Sequence, residues 1–205
     1  LSCGAENTQI CDICLAKIRL NRGAQYQNKS ALRALFAAGR YDDPILREAI
    51  KSFKYQSIES LKKPLVKLAI DYLKKENLTG KFSGFVIVPV PLTLRRRLNR
   101  GFNQSELLAK EIGSFLNCPV VNLLKRKKFN FPQAEIPDWK KRKENITGVF
   151  EVRLRGIFEV GLQSLPNKII LIDDVSTSGA TLEEAASVLK QAGAKEIYGL
   201  VIAKG

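Results

Sequence analysis

The sequence predicts an α/β protein, with a mainly parallel central sheet flanked by helices and a small N-terminal appendage. Three observations carry this prediction. Runs of consecutive apolar residues, Phe85-Val-Ile-Val88 and Ile169-Ile-Leu-Ile172, read as strands buried on both faces, the habit of parallel sheets. Segments between such runs repeat apolar residues at i, i+3, i+4 and i+7, the spacing of one helix face. Finally, 205 residues of 45% apolar composition suit one domain with a sizeable core.

Composition narrows the chemistry. There is no histidine, which excludes that residue as metal ligand, general base or triad member and removes most hydrolase templates. No apolar run approaches the roughly 20 residues that span a bilayer, and no signal peptide is visible. A soluble cytoplasmic protein without membrane insertion is expected. The net charge of +14 is unevenly placed, with 15 Lys/Arg against six Asp/Glu between Arg95 and Arg155. A phosphate-rich partner follows, either pyrophosphate, nucleic acid or both. The plain alternative is a solvated basic face.

The chain then reads in order. Cys3, Cys11 and Cys14 fall within the first twenty residues, and three thiols so close in a cytosolic chain suggest a metal rather than a disulfide. Tetrahedral zinc wants four ligands. The chain starts at Leu1 without methionine, and a cysteine just before it would complete Cys-x2-Cys-x7-Cys-x2-Cys. Three thiols or a redox pair is the competing reading, and Cys118 reads as packing. Residues 31–41 read as extended. Asp43-Pro44 supplies N-cap and N1 chemistry for a helix whose buried stripe is Leu46, Ala49, Ile50 and Phe53. A second helix, about 60–76, turns Leu61, Leu65, Leu68, Ala69 and Tyr72 inward. Neither helix carries an obvious catalytic residue.

After Phe85-Val-Ile-Val88 and Pro89-Val90-Pro91-Leu92 comes a loop holding Arg95, Arg96, Arg97 and Arg100. Asn103 and Glu106 then form a capping pattern for a helix with Leu108, Ile112, Phe115 and Leu116 inward. Arginine's planar fork suits bidentate contact with phosphate. A short strand is expected over 120–124. Beyond it, Lys125 to Lys128 open a polar stretch, Phe129, Phe131 and Trp139 interleave, and Lys140-Lys141-Arg142-Lys143 close it. Basic residues with spaced aromatics suit single-stranded nucleic acid, and equally a lid over a reactive ligand. Strands follow at 148–152 and 197–202.

Between these lies the segment 169–181: a buried strand, Asp173 and Asp174 at its end, the turn Val175-Ser176-Thr177-Ser178-Gly179-Ala180-Thr181, and a helix with Leu182, Ala185, Ala186 and Leu189 inward, closing near Gly193. Ligands of open α/β sheets bind beyond the carboxyl ends of strands. A hydroxyl-rich turn opening a helix offers unpaired N–H groups and the positive dipole end to a phosphate monoester. Carboxylates beside it suit the neutral diol of a ribose, or a magnesium ion shared with a second phosphate. An ordinary strand followed by an Asp-rich helix cap is the competing reading. A P-loop is absent, which disfavours a nucleoside triphosphatase.

This segment closely resembles the phosphoribosyl-pyrophosphate (PRPP) signature of type I phosphoribosyltransferases. Together with the N-terminal cysteines, Phe53-Lys54-Tyr55, Pro89-Val90-Pro91-Leu92, Arg100-Gly101-Phe102-Asn103-Gln104, Gln133, Arg142-Lys143-Glu144-Asn145 and Gly148-Val149-Phe150, it makes the whole chain resemble the ComF family (competence protein F, including ComFC and the GntX-like proteins). The resemblance implies a type I phosphoribosyltransferase fold over 26–205 and a zinc-finger-like element over 1–25, with structural Zn²⁺ on Cys3, Cys11 and Cys14. It implies PRPP and Mg²⁺ held by residues 173–181, with Asp173 and Asp174 in the catalytic position, and pyrophosphate on Arg96, Arg97 and Arg100. Single-stranded DNA is expected on Lys127, Lys128, Trp139, Lys140, Lys141, Arg142 and Lys143, and a helicase-like partner in natural transformation. Where purine-acting branches place an aspartate base, this chain has Thr177, so no general base is assignable. Two classes stay open: an enzyme transferring phosphoribose to an unknown acceptor, and a competence factor that senses PRPP without turnover.

Overall fold

The computed structural model describes residues 10–27, 31–56, 58–127, 148–153, 155, 161 and 163–205. Its central sheet has strands β1 (Tyr26–Gln27), β2 (Ala34–Arg40), β3 (Val86–Pro89), β6 (Lys168–Ser176) and β7 (Glu196–Lys204), in the order β1-β2-β7-β6-β3. All neighbours are parallel except β1, which runs antiparallel to β2. A separate antiparallel ribbon pairs β4 (Leu124–Arg126) with β5 (Phe150–Val152). The helices are α1 (Asp12–Lys17), α2 (Pro44–Tyr55), α3 (Lys62–Lys75, entered by a 3₁₀ turn at Glu59–Leu61), α4 (Leu94–Arg100), α5 (Gln104–Leu116) and α6 (Ala180–Gln191).

Side-chain alternation divides the core into two layers. Ile170 and Ile172 of β6 pack with α2, α3 and α5, while Ile169 and Leu171 pack with α6 and the β4–β5 ribbon. The stripes expected on α2, α3 and α6 are all buried. Leu182 and Leu189 alone remove two large apolar side chains from water, worth roughly 1.5–3 kcal/mol each. Asp43 caps α2 as its spacing requires, its Oδ1 accepting the Leu46 N–H at 2.9 Å.

Four expectations need correction. The strand expected to end at Ile172 runs on to Ser176, because β7 continues its ladder through Val201, Ala203 and Lys204. The acids therefore lie inside β6. On the other side, β3 stops pairing at Pro89 opposite Ile172, and Val90 N–H makes the next bond back to Ile172 O. Among the described residues, the strand from Asp173 onward has a neighbour on one side, and a crevice opens there. The arginine-rich loop is a short helix, α4: Thr93 caps it by accepting the Arg96 N–H, and Gly101 ends it at φ 78°. A capping threonine, good helix formers and a left-handed glycine outweigh the loop reading. The strand expected at 120–124 is reduced to one bridge between Val120 and Ile87, because Leu123 N–H turns back to Val121 O before β4 begins. Finally, Phe115 is on the rim of α5, with the Lys74 ammonium over its ring.

Candidate functional site

The acid pair sits at the crevice with unequal environments. Asp174 is 5% exposed, and its carboxylate accepts the Lys54 ammonium at 2.8 Å. Lys54 occupies the last turn of α2, directed there by the buried stripe beneath that helix. Burial alone would lower the lysine's pKa, yet Asp174 overcomes it and holds the ammonium above its usual range. Asp173 accepts the Ser105 hydroxyl and the Asp174 N–H, both at 2.9 Å. Burial first, then the neighbouring Asp174 charge, push its carboxyl up to about 6. One carboxylate is thus neutralised by a lysine, while the other is poised nearer to protonation.

Beyond them β6 enters the turn into α6. Gly179 adopts φ 83°, a left-handed conformation that favours glycine, and a β-carbon there would stand 3.1 Å from the Tyr26 hydroxyl. Lys204 Nζ donates to Thr177 O at 2.6 Å, and Gly205 N–H to Ser176 O at 3.0 Å, tying the turn to the end of β7. Asp173 and residues 175–182 line a hollow of about 60 Å³. One water occupies roughly 10–15 Å³ on this scale, so a group of several heavy atoms enters. Ser176 is 4% exposed and its Oγ has no hydrogen-bond partner among the described residues. An orphaned buried hydroxyl beside a helix N-terminus suits an anionic oxygen acceptor.

The hollow adjoins a larger cleft of about 440 Å³. Asp173 and Asp174 form its acidic side, Arg96, Asn99 and Arg100 of α4 one basic wall, and Arg126 of β4 another, with Tyr55 at the rim. Arg97 is absent from the described residues lining the cleft. The segment after α4 acts as a joint. Gly101 ends the helix and Phe102 packs on Phe53, ring centres 5.6 Å apart. Asn103 caps α5 through the Ser105 N–H and donates to Val90 O. Gln104 accepts from Arg100 and donates to the Phe53 carbonyl. The Arg-Gly-Phe-Asn-Gln run thus locks the ends of α2, β3, α4 and α5 around the cleft.

Of the remaining sequence expectations, Cys11 occupies the position before α1 without a side-chain cap bond, and Cys14 is buried in the core. No group of three or more His, Cys, Asp or Glu that could hold a metal occurs among the described residues. Cys3, Lys128, Trp139, Lys140, Lys141, Arg142 and Lys143 lie outside those residues. Lys127 is described, and pairs with Glu151 at 2.9 Å. No described helix is long and apolar enough to cross a membrane.

No family model matches the chain. It is 30% identical over 162 residues to "Competence protein F" of Haemophilus influenzae, covering 78% of this chain and 67% of that protein. The chain belongs to the ComF family. Another relative is the "DNA utilization protein YhgH" of Salmonella typhimurium, 28% identical over 189 residues, covering 91% of this chain and 79% of that one. Among solved structures, "Structure of the allosteric regulatory enzyme of purine biosynthesis" is similar at a TM-score of 0.46 and 13% identity, over 74% of this chain and 29% of that one.

On this ComF chain, the elements that carried the resemblance converge. Phe53-Lys54-Tyr55, the Pro89–Leu92 segment, the Arg-Gly-Phe-Asn-Gln joint and the acid pair all meet at one cleft. Sequence reasoning missed Lys54, Ser105 and Arg126. A signal for Lys54 existed: it continues the i, i+4 row Leu46-Ile50-Lys54, and a lysine on a buried stripe calls for a buried anion. Ser105 and Arg126 carry no comparable local signal, since their partners come from distant segments.

Proposed function

We propose that this ComF protein binds PRPP with Mg²⁺ in the cleft, as a phosphoribosyltransferase-like protein acting in competence and the handling of imported single-stranded DNA. The observation that carries the reading is the adjacency of three unlike surfaces: a donor-lined hollow, an acid pair and a basic wall. A 5′-phosphate suits the hollow, with Ser176 Oγ and the first N–H groups of α6 as donors. Asp173 and Asp174 suit the ribose hydroxyls, and Arg96 and Arg100 the diphosphate. Bound Mg²⁺ would neutralise diphosphate charge as it leaves the sugar. The chain's own contribution is positioning and charge stabilisation. Structural zinc on Cys3, Cys11 and Cys14, over an N-terminal element of residues 1–25, belongs to the same reading. So do a cytoplasmic location and a helicase-like partner.

A competence factor that senses PRPP without turnover is the second reading. It is favoured by the closed Lys54–Asp174 pair, which occupies Asp174 and leaves Asp173, held by the Ser105 hydroxyl, as the acid of the pair outside that ion pair. Pyrophosphate release separates the two. Release that depends on an added acceptor supports transfer; PRPP binding with no release under any acceptor supports sensing. Single-strand binding is tested by charge reversal across residues 140–143, which is expected to weaken a labelled oligonucleotide at least tenfold in low salt and to flatten the salt dependence. Unchanged affinity contradicts that part.

A further inference from the structure

Arg126 stands apart from the other cations of the cleft. It is carried by β4, outside the central sheet, and is paired in register with Phe150 of β5. Its guanidinium carbon lies over the Phe150 ring, 5.4 Å from the ring centre, a cation–π contact that supports the side chain. It is half-buried and lines the cleft, yet its Nε has no hydrogen-bond acceptor among the described residues. The ribbon's carboxylate, Glu151, is engaged by Lys125 at 3.4 Å and Lys127 at 2.9 Å. Asp173 supports the charge from across the cleft but already accepts two hydrogen bonds. Burial, and then the like charge of Arg96, depress the guanidinium to about 10. A charged, largely desolvated guanidinium that lines the cleft and lacks an acceptor at Nε among the described residues gains from an anion entering beside it.

We propose that Arg126 is a positioning residue for the diphosphate arm of the ligand, gripping it from the ribbon side while Arg96 and Arg100 hold it from α4. The proposal rests on the reading of the cleft under Proposed function. A ligand so held ties the β4–β5 ribbon to the central sheet, because the sugar phosphate end is anchored on β6 and α6. Arg126 is therefore specific to the diphosphate and indifferent to the 5′-phosphate, which sits in the separate hollow beside Ser176.

The test uses two probes by calorimetry on the full chain: inorganic pyrophosphate with Mg²⁺, and ribose 5-phosphate. Arg126→Gln is expected to weaken pyrophosphate at least tenfold while ribose 5-phosphate changes less than threefold. Arg126→Lys, which keeps the stem and the charge but loses the planar fork, is expected to fall between. Pyrophosphate affinity within threefold of the unmodified protein in both variants overturns the proposal. Parallel loss of both probes in Arg126→Lys overturns it too, because that pattern marks a packing role. Failure of the unmodified protein to bind PRPP or either probe overturns the underlying reading and this proposal together, whereas normal PRPP binding with an unaffected Arg126→Gln overturns this proposal alone.

Discussion

Lys54 and Asp174 show how one buried contact serves both fold and site. Their 2.8 Å ion pair sits at the crevice floor, where neither charge reaches bulk water freely. Removing one partner of such a pair strands the other, at a cost of about 3–5 kcal/mol, while replacing both is close to neutral. Lys54→Met is therefore expected to lose about 3–5 kcal/mol in urea unfolding. Adding Asp174→Asn to it is expected to recover most of that loss. A Lys54→Met protein as stable as the unmodified one would mean that the pair is solvated. For the same reason Asp174 is a poor position at which to test ligand binding by substitution, and Asp173, held by a hydroxyl and an amide, is a cleaner one.

At the scale of elements, close packing decides where helices lie. Gly113 on α5 has no room for a side chain: a β-carbon would stand 2.6 Å from Val120 Cγ2 and 2.9 Å from the Cys118 carbonyl oxygen. Because the second contact is backbone, relief requires the helix to move. Gly113→Ala is expected to destabilise by about 1–3 kcal/mol, read as a lowered urea midpoint with unchanged slope. Stability equal to that of the unmodified protein would show that α5 shifts freely.

Most elements of this fold were legible because their signals are local. The stripes of α2, α3 and α6 lie in sequence at helical spacing, and β3 and β6 announce themselves as unbroken apolar runs. What escaped depended on partners far along the chain. The extension of β6 through the acids needs the matching length of β7, and the bend at Val121–Leu123 needs the register of Ile87. The site divides in the same way. Asp173, Asp174 and the 176–181 turn are contiguous and were readable, as were Arg96 and Arg100. Arg126 reaches the cleft only through the β4–β5 ribbon, and Ser105 only because Asn103 ties α5 to the end of β3.

For the whole molecule, the carboxyl ends of β3 and β6 gather an acidic pair, a donor-lined hollow and three arginines within one surface depression. With +14 net charge the chain attracts polyanions broadly, so general phosphate affinity discriminates little. What discriminates is dependence on Asp173, since a purely electrostatic site would bind an anion more tightly when a carboxylate is removed. Burial, then the neighbouring Asp174 charge, push the Asp173 carboxyl up to about 6, so it gains a proton at higher pH than an ordinary carboxylate, and affinity that needs the carboxylate must fall as pH drops. The deciding measurement is a calorimetric titration of PRPP with Mg²⁺ into the unmodified protein and Asp173→Asn, at pH 7.5 and at pH 5. Saturable one-to-one binding at pH 7.5 that weakens at least tenfold in Asp173→Asn, and a loss between pH 7.5 and pH 5 that is larger in the unmodified protein than in Asp173→Asn, whose remaining loss reports the ligand's own phosphates, is the expected result. Equal or tighter binding by Asp173→Asn at pH 7.5 would contradict the account.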